Sequence, residues 1–331
     1  MESNPDADTI CISRRAVLKT TAGVSTVGLA GCLGGDDDDN PDVSDELVFA
    51  IEAHDDPKDI ERDWEPLAEW IESETGVPTR IDTVPNASAA IGALATGQAH
   101  ATYLSGGPSW VGWNEYGFET LAVESDEDGR TYYVAAAYTR SDTGIETMRD
   151  AEGVDSAHTG DLAGAGMLVP TAYLAKEGLV SFNEDDDVTA IRKAVEEYFG
   201  NPVVGGGYVG ALRTLSEGQA DIAFGRSTTP EDYCSEDDAE EWCLPLGEYE
   251  IVEEFTQVPS HPVLASTEAT DAEIELLKDA LLALNDGSDG QEILEDAFDV
   301  FELQEVTSEE HLGPYGELIS NLPGIEDHLA G

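Results

Sequence analysis

The sequence predicts an α/β protein built as two related lobes, each a doubly wound sheet, with a ligand between them. Three observations carry this. The first is an internal repeat: Ala90–Leu104 reads AIGALATGQAHATYL and Ala211–Gly225 reads ALRTLSEGQADIAFG. Each is an apolar helix, a stop glycine, Gln-Ala and a short β-type run, and glycine just past a helix is the usual stop signal. The second is His158–Leu174, HTGDLAGAGMLVPTAYL, which reads as a strand end, a glycine-rich turn and a helix. Gly160, Gly164 and Gly166 let the backbone bend or approach a ligand, because they carry no Cβ. The third is the order strand, helix, strand, helix, strand after residue 45, which implies parallel strands with ligands at their carboxyl ends.

Taken in order, Glu46–Ala53 reads as a first strand and His54–Pro57 as the turn after it. Ile60, Trp64, Leu67, Ala68 and Ile71 recur at helical spacing up to Gly76. Val77–Val84 is the next strand, Ser88–Thr96 a helix and Ala101–Leu104 a strand. Tyr103–Trp110, YLSGGPSW, then repeats the pattern of strand end, turn and helix start. Ser105 and Ser109 suit N-caps and Pro108 a first helical position. Arg130–Arg140 is a long β-type run fit to cross into the second lobe. There Ile145–Val154 reads as a helix and Asp155–Thr159 as the strand before the glycine turn, where Pro170 suits a first helical turn. Val188–Phe199 is a further helix, and Val203–Gly210 a short strand with a run of three consecutive glycines. Asp221–Gly225 is a strand followed by Arg226, and His261–Ser266 a return strand. Asp271–Asn285 is an amphipathic helix, and segments at Glu292–Ala297, Leu303–Val306 and Tyr315–Leu322 finish the first lobe. Helix starts expose unpaired N–H groups and a positive dipole end, so both glycine turns suit an anion.

Charge narrows the setting and the partners. The 331 residues hold 71 acidic and 15 basic side chains, a net charge of −56. Repulsion on that scale works against a compact fold at low salt, and molar salt screens it. A strongly saline setting follows. Nucleic acid is excluded as a partner, since neutralising phosphates needs Lys and Arg.

Residues 1–31 form a leader outside the fold. Ser13-Arg14-Arg15-Ala16-Val17-Leu18-Lys19 resembles a twin-arginine export signal. The apolar run Ala22–Leu33 is too short to span a membrane and contains Leu29-Ala30-Gly31-Cys32, which resembles a lipobox. Cleavage before Cys32 leaves a lipid-modified cysteine and an extracytoplasmic protein anchored to the outer face of the membrane. Residues 32–45 are an acidic tether. Cys234 and Cys243 remain as an even pair outside the cell, where disulfides persist. No cluster with metal-ligand spacing and no nucleotide loop stands out, so neither metal nor cofactor is expected.

Four blocks then resemble a known family, in order: PLAEWIESETGVP (66–78), IGALATGQAHATYLSGGPSW (91–110), GAGMLVPTAYLAKEGL (164–179) and GALRTLSEGQADIAFG (210–225). The chain resembles the PhnD-like substrate-binding lipoproteins of phosphate/phosphonate ABC transporters, with a haloarchaeal-type leader. The resemblance implies a type II periplasmic-binding-protein fold with two crossover strands, lobe 1 being 46–138 with 258–331 and lobe 2 being 139–257. It implies no catalysis, a monomer, a small anionic solute in the cleft, and delivery to a permease driven by an ATPase. The family places Ser and Thr hydroxyls in the turn before the LVP helix, whereas this chain has Leu162-Ala163-Gly164-Ala165-Gly166. Tyr208 stands where members often have histidine, and Arg226 where some have an acidic residue for an aminoalkyl group. These departures point away from a simple aminoalkylphosphonate and towards an oxyanion held by backbone N–H groups and Arg226. The expected site is Tyr103, Ser105, Gly106, Gly107 and Ser109 with His54 and His261, facing Gly164, Ala165, Gly166, Tyr208 and Arg226. An extracytoplasmic enzyme or a ligand-sensing lipoprotein on the same fold is the alternative.

Overall fold

Leu47–Glu52 (β1) shows why the first sheet is covered on both faces. Its side chains alternate, Leu47, Phe49 and Ile51 entering one apolar cluster and Val48 and Ala50 another. In the computed structural model the described residues are 43–52, 57–160, 163–183, 185–235, 239–298 and 300–329. The leader, Cys32, His54 and most of the tether lie outside them.

The chain continues through α1 (Pro57–Thr75), β2 (Thr79–Val84), α2 (Ala87–Ala95), β3 (Ala101–Tyr103), α3 (Gly106–Val111, extended by a π turn Gly112–Tyr116) and β4 (Glu119–Ser125). Leu67 and Ile71 of α1 are fully buried, each burial stabilising by roughly 1.5–3 kcal/mol. Asn86 caps α2 by accepting from the Ala89 N–H at 2.9 Å. The second sheet follows with β5 (Tyr132–Arg140), β6 (Ser156–His158), α4 (Val169–Lys176, preceded by a π turn Gly164–Leu168), α5 (Thr189–Tyr198), β7 (Pro202–Val204), α6 (Gly207–Ser216), β8 (Ile222–Arg226), α7 (Thr229–Cys234) and β9 (Tyr249–Pro259). A return through β10 (Pro262–Ala265), α8 (Asp271–Ala283), α9 (Ser288–Ile293), β11 (Glu302–Gln304), α10 (Ser308–Ile319) and α11 (Ile325–Leu329) ends the described chain.

The six-stranded sheet runs β11-β4-β10-β3-β1-β2 and the five-stranded sheet β7-β6-β8-β5-β9. In each, three parallel strands (β2-β1-β3 and β7-β6-β8) are followed by an antiparallel one, β10 or β5. The two Gly-Gln-Ala segments sit at equivalent places, between α2 and β3 and between α6 and β8. Their glycines, Gly97 at φ 66° and Gly218 at φ 70°, take the left-handed turn that ends the helix. The fold is the expected two-lobed α/β architecture, although each sheet is mixed rather than wholly parallel. By sheet membership the exchange falls at residues 131–132 and 259–260, because β5 and β9 pair along their whole length from Tyr132↔Pro259 to Arg140↔Tyr249.

Two element readings change. Ile145–Val154 is not a helix but a four-residue 3-10 turn, Met148–Ala151, between Gly144 and Gly153, both at positive φ. The Tyr315–Leu322 segment belongs to a helix starting at Ser308, capped by Thr307 and running through Pro314. Pro170 falls in the first turn of α4, as expected, although that helix continues a π turn in which the Met167 and Leu168 N–H groups both reach the Ala163 carbonyl. A disulfide joins Cys234 to Cys243, with Cα atoms 5.5 Å apart. Among the described residues no helix is long and apolar enough to cross a membrane, and no His, Cys, Asp and Glu group is arranged to hold a metal ion.

Candidate functional site

The chain crosses between sheets twice, at β4–β5 and at β9–β10, and the crossings lie side by side: Ser260 N–H donates to Thr131 O at 3.1 Å. Beside them opens a cavity of about 800 Å³. The carboxyl ends of β3 and β8 and the first turns of α3 and of the helix at Gly164 meet there, as parallel α/β sheets require of their ligand sites. Helix α10 packs against α3 on one side and against α4 and β9 on the other, placing Tyr315 in the cavity wall.

The second lobe contributes one cation held by aromatic rings. Ile222–Gly225 of β8 is buried and Arg226 emerges at the strand end, exposed. Its guanidinium carbon lies 4.4 Å over the Tyr133 ring and 5.0 Å over the Tyr208 ring. Each such contact contributes about 0.5–2 kcal/mol, and the guanidinium carries five N–H donors, more than its contact with Tyr208 uses, so donors remain for an oxyanion. Tyr208 reaches this place because residue 225 is glycine: a Cβ there would meet Tyr208 Cδ1 at 3.1 Å and the Tyr138 hydroxyl at 2.8 Å. Burial, and then the neighbouring Tyr208, push the Tyr133 hydroxyl well above its ordinary pKa, so it stays a donor. Among the described residues no carboxylate lies within 4 Å of Arg226, whereas Arg130, also in the wall, is held by Asp126 at 2.8 Å and Asp128 at 2.9 Å.

The first lobe contributes the turn Ser105–Gly107 and the side chains of Glu124 and His261. Ser105 occupies the N-cap position without a side-chain cap bond, and first-turn N–H groups have no intrahelical partner. Glu124 accepts from Tyr103 Oη at 2.5 Å and from His261, ring Nδ1 at 3.0 Å and backbone N–H at 2.9 Å. Burial alone would raise its pKa, but the His261 and Tyr103 hydrogen bonds outweigh it and hold it below the ordinary carboxylate range.

Of the expected site residues, Ser105, Gly106, Gly107, Gly164, Tyr208, Arg226 and His261 line the cavity. Four others do not. Ser109 is fully buried and its hydroxyl donates to Leu104 O at 3.1 Å, so it ties α3 to β3 and does not reach the cleft. Tyr103 packs behind the wall against Trp64, Phe298 and His261, reaching the site through Glu124 and His261. Ala165 and Gly166 turn into the lobe, where Gly166 is closed upon by Thr159, whose side chain fills the place of a Cβ. The close approach that glycine permits there is to the protein, not to a ligand. His54 lies outside the described residues.

Beneath that turn His158 is buried, stacked 4.8 Å from Phe224. Its Nδ1–H donates to Gly166 O at 2.8 Å, and Nε2 faces Ser156 Oγ at 3.0 Å. Burial pushes its pKa down from 6.5 to about 4. Below pH 6.5 the unfolded chain therefore takes up a proton that the folded one refuses. Stability is expected to fall by about 1.4 kcal/mol per pH unit from this group, reaching roughly 3 kcal/mol near pH 4. Denaturation of wild type and His158→Gln between pH 7 and 4 checks this: the variant's slope should be smaller by about one proton, and equal slopes would refute it.

The sequence reading missed Glu124, Tyr132, Tyr133 and Tyr315, all in the wall. The run ETLAVES ahead of the crossing carries a legible strand signal, and RTYYV a legible aromatic pair. Tyr315 had no such signal, since it is carried in by a helix from far along the chain.

Comparison with known proteins agrees with this fold. A protein of Xanthomonas citri, solved with chloride and again with ATP, superposes with a TM-score of 0.61 at 18% and 16% identity, covering 86% of this chain and 100% and 99% of that one. PhnD1 from Prochlorococcus marinus, in complex with methylphosphonate, gives 0.53 at 12% identity over 84% of this chain and 100% of its own. A binding-protein component of an ABC phosphonate transporter from Pseudomonas aeruginosa gives 0.52 at 16%, covering 81% and 83%. Among curated proteins, melanotransferrin from Oryctolagus cuniculus is 31% identical over 172 residues, 41% of this chain and 22% of its own length. A transferrin from Blaberus discoidalis is 25% identical over 244 residues, 55% and 33% respectively. The chain thus spans between about a fifth and a third of these curated relatives. Residues 49–310 match the family described as ABC transporter, phosphonate, periplasmic substrate-binding protein. Such proteins are substrate-binding components of transporters rather than enzymes. With most of its length matched, the chain belongs to the periplasmic substrate-binding proteins of phosphonate ABC transporters.

Proposed function

We propose that the cleft captures a phosphate- or phosphonate-like oxyanion outside the cytoplasm and hands it to a permease driven by an ATPase. The observation that carries this reading is Arg226, a guanidinium over two tyrosine rings with no carboxylate within 4 Å among the described residues, in a chain of net charge −56. In an acidic protein a cleft cation that forms no close ion pair among the described residues keeps hydrogen-bond donors for an anion, although against burial the nearby Tyr208, Tyr133 and Asp232 hold its pKa up. Tyr133 adds a protonated hydroxyl, and the Gly106–Gly107 and Gly164 turns add backbone N–H groups facing from opposite lobes. The long-range field of the chain opposes an anion, but molar salt confines that field to about 3 Å, so local donors decide affinity. The anions held by the compared structures, chloride, ATP and methylphosphonate, support the same class.

The protein acts in this reading as a monomer tethered through residues 32–45 to a lipid on Cys32, exported by the Arg14-Arg15 signal. One experiment has two arms. A thermal-shift screen in molar KCl should show stabilisation by phosphate, phosphite or methylphosphonate and none by neutral sugars; no shift with any oxyanion refutes the ligand class. In cells, Cys32→Ala should move the protein from the membrane to the soluble fraction, and unchanged fractionation refutes the anchor.

A further inference from the structure

The first lobe's wall holds a ring nitrogen whose hydrogen-bonding role is fixed by its neighbours and which none of them uses. Glu124 accepts from the Tyr103 hydroxyl at 2.5 Å, from the His261 N–H at 2.9 Å and from His261 Nδ1 at 3.0 Å. A carboxylate accepting from that many donors is ionised, so in neutral His261 the ring proton sits on Nδ1 and Nε2 carries a lone pair. Nε2 has no hydrogen-bond partner among the described residues. His261 lines the cavity with 45% of its side chain exposed.

Resting on the oxyanion reading above, we propose that His261 Nε2 selects oxyanions that arrive with a proton, and that Glu124 and Tyr103 are positioning residues that set this choice. A fully ionised oxyanion brings lone pairs against the lone pair of Nε2. Two arrangements remove the conflict. Either a singly protonated ligand donates its O–H to Nε2, or His261 takes up a proton and Nε2–H donates to the dianion. These are one complex, with one proton on either side of a single hydrogen bond. Phosphate and phosphonates carry such a proton near neutral pH, and sulfate does not.

The other groups around His261 reinforce the requirement. On α10, His311 is buried and its Nε2–H donates to Ser260 O at 2.9 Å; burial lowers its pKa, so it adds no charge. On the same rim Asp126 is paired with Arg130. Glu127 and Glu295, both exposed, also line the cavity and disfavour a dianion that brings no proton.

Calorimetric titration of the mature chain in molar KCl tests this, from pH 5.5 to 8.5, in two buffers of different ionisation enthalpy. Methylphosphonate and sulfate are the probes. Wild type should take up close to one proton per methylphosphonate at pH 8.5, and sulfate affinity should fall by about tenfold or more across the range. His261→Gln should abolish the proton uptake. Glu124→Gln keeps its amide oxygen on the His261 backbone N–H and Nδ1–H, which share one carboxylate oxygen, and turns its NH2 to Tyr103 Oη, so the ring proton stays on Nδ1 and proton uptake should persist. Glu124→Ala removes the same charge but frees Nδ1, so the ring proton can move to Nε2 and methylphosphonate binding at pH 8.5 should take up clearly fewer protons than in Glu124→Gln. Proton uptake that persists in His261→Gln, or that is equal in Glu124→Ala and Glu124→Gln, overturns the proposal. If wild type binds oxyanions with no proton linkage, only the shared proton falls; if it binds neither probe, the oxyanion reading falls with it.

Discussion

Arg226→Ala is expected to weaken oxyanion binding by roughly ten- to a hundred-fold, with the unliganded fold intact. Losing a charged hydrogen-bond partner costs about 1.5–3 kcal/mol, which is that range in affinity. The fold should survive because Arg226 is exposed at a strand end and makes no ion pair within 4 Å among the described residues. What it loses internally is the stacking on Tyr133 and Tyr208. Arg226→Lys should recover little, since an ammonium is a point charge with neither a flat face for the two rings nor a fork for two oxygens. Titration of wild type and both variants with methylphosphonate or phosphate in molar KCl decides it. Unchanged affinity in Arg226→Ala would place the anion elsewhere in the cavity.

Removing salt is expected to unfold the protein, the largest effect on stability. The sequence carries 71 carboxylates against 15 basic side chains. Several cations are already committed to close pairs, among them Arg192–Glu196, Arg213–Glu217 and Lys278–Glu305. Such exposed pairs contribute about 0–1 kcal/mol each and do not offset the excess of negative charge. At 1 M salt the screening length is about 3 Å and at 0.01 M about 30 Å, so repulsion that was local comes to act across a lobe. Several kcal/mol lost this way lower the melting temperature by on the order of 10 °C or more. Far-UV circular dichroism during melts in 2 M and 0.01 M KCl checks it; chloride avoids the general stabilisation that sulfate brings by exclusion. Equal melting temperatures would count against adaptation to salt.

Much of the architecture was legible because it is written in local patterns. The helix, glycine, Gln-Ala and strand order recurs at 90–104 and 211–225, and both copies occupy the same position beside the parallel strands. Those patterns place Ser105, Gly164 and Arg226 at strand ends and first turns, where they line the cavity. What was not legible depends on partners distant in sequence. Glu124 is one of several acidic residues in its neighbourhood until His261, 137 residues away, binds it. Ser109 reads as a cap because a hydroxyl beside proline suits one, but one turn after Ser105 it points into the core and is used by Leu104. The segment read as starting at Tyr315 misleads for a related reason: α10 begins at Ser308 and runs through Pro314, and Trp110 packs so closely on Gly316 that only glycine fits there. Packing overrides the local signal.

The two sheets also differ in how much of the chain each must wait for. Every strand of the five-stranded sheet comes from residues 132–259, an unbroken insertion. The six-stranded sheet joins β1 to β10 and β11, so its order draws on residues 47–125 and then on 262–304. As the chain leaves the ribosome, the inserted lobe has all its strands while the other still lacks one interior and one edge strand. Domains fold as units, and long-range strand pairing is slow. The inserted lobe is therefore the template, and the lobe that begins first is the one that finishes last. A chain cut before residue 302 keeps one complete sheet and leaves β4 as an open edge in the other, the place where such a fragment would self-associate.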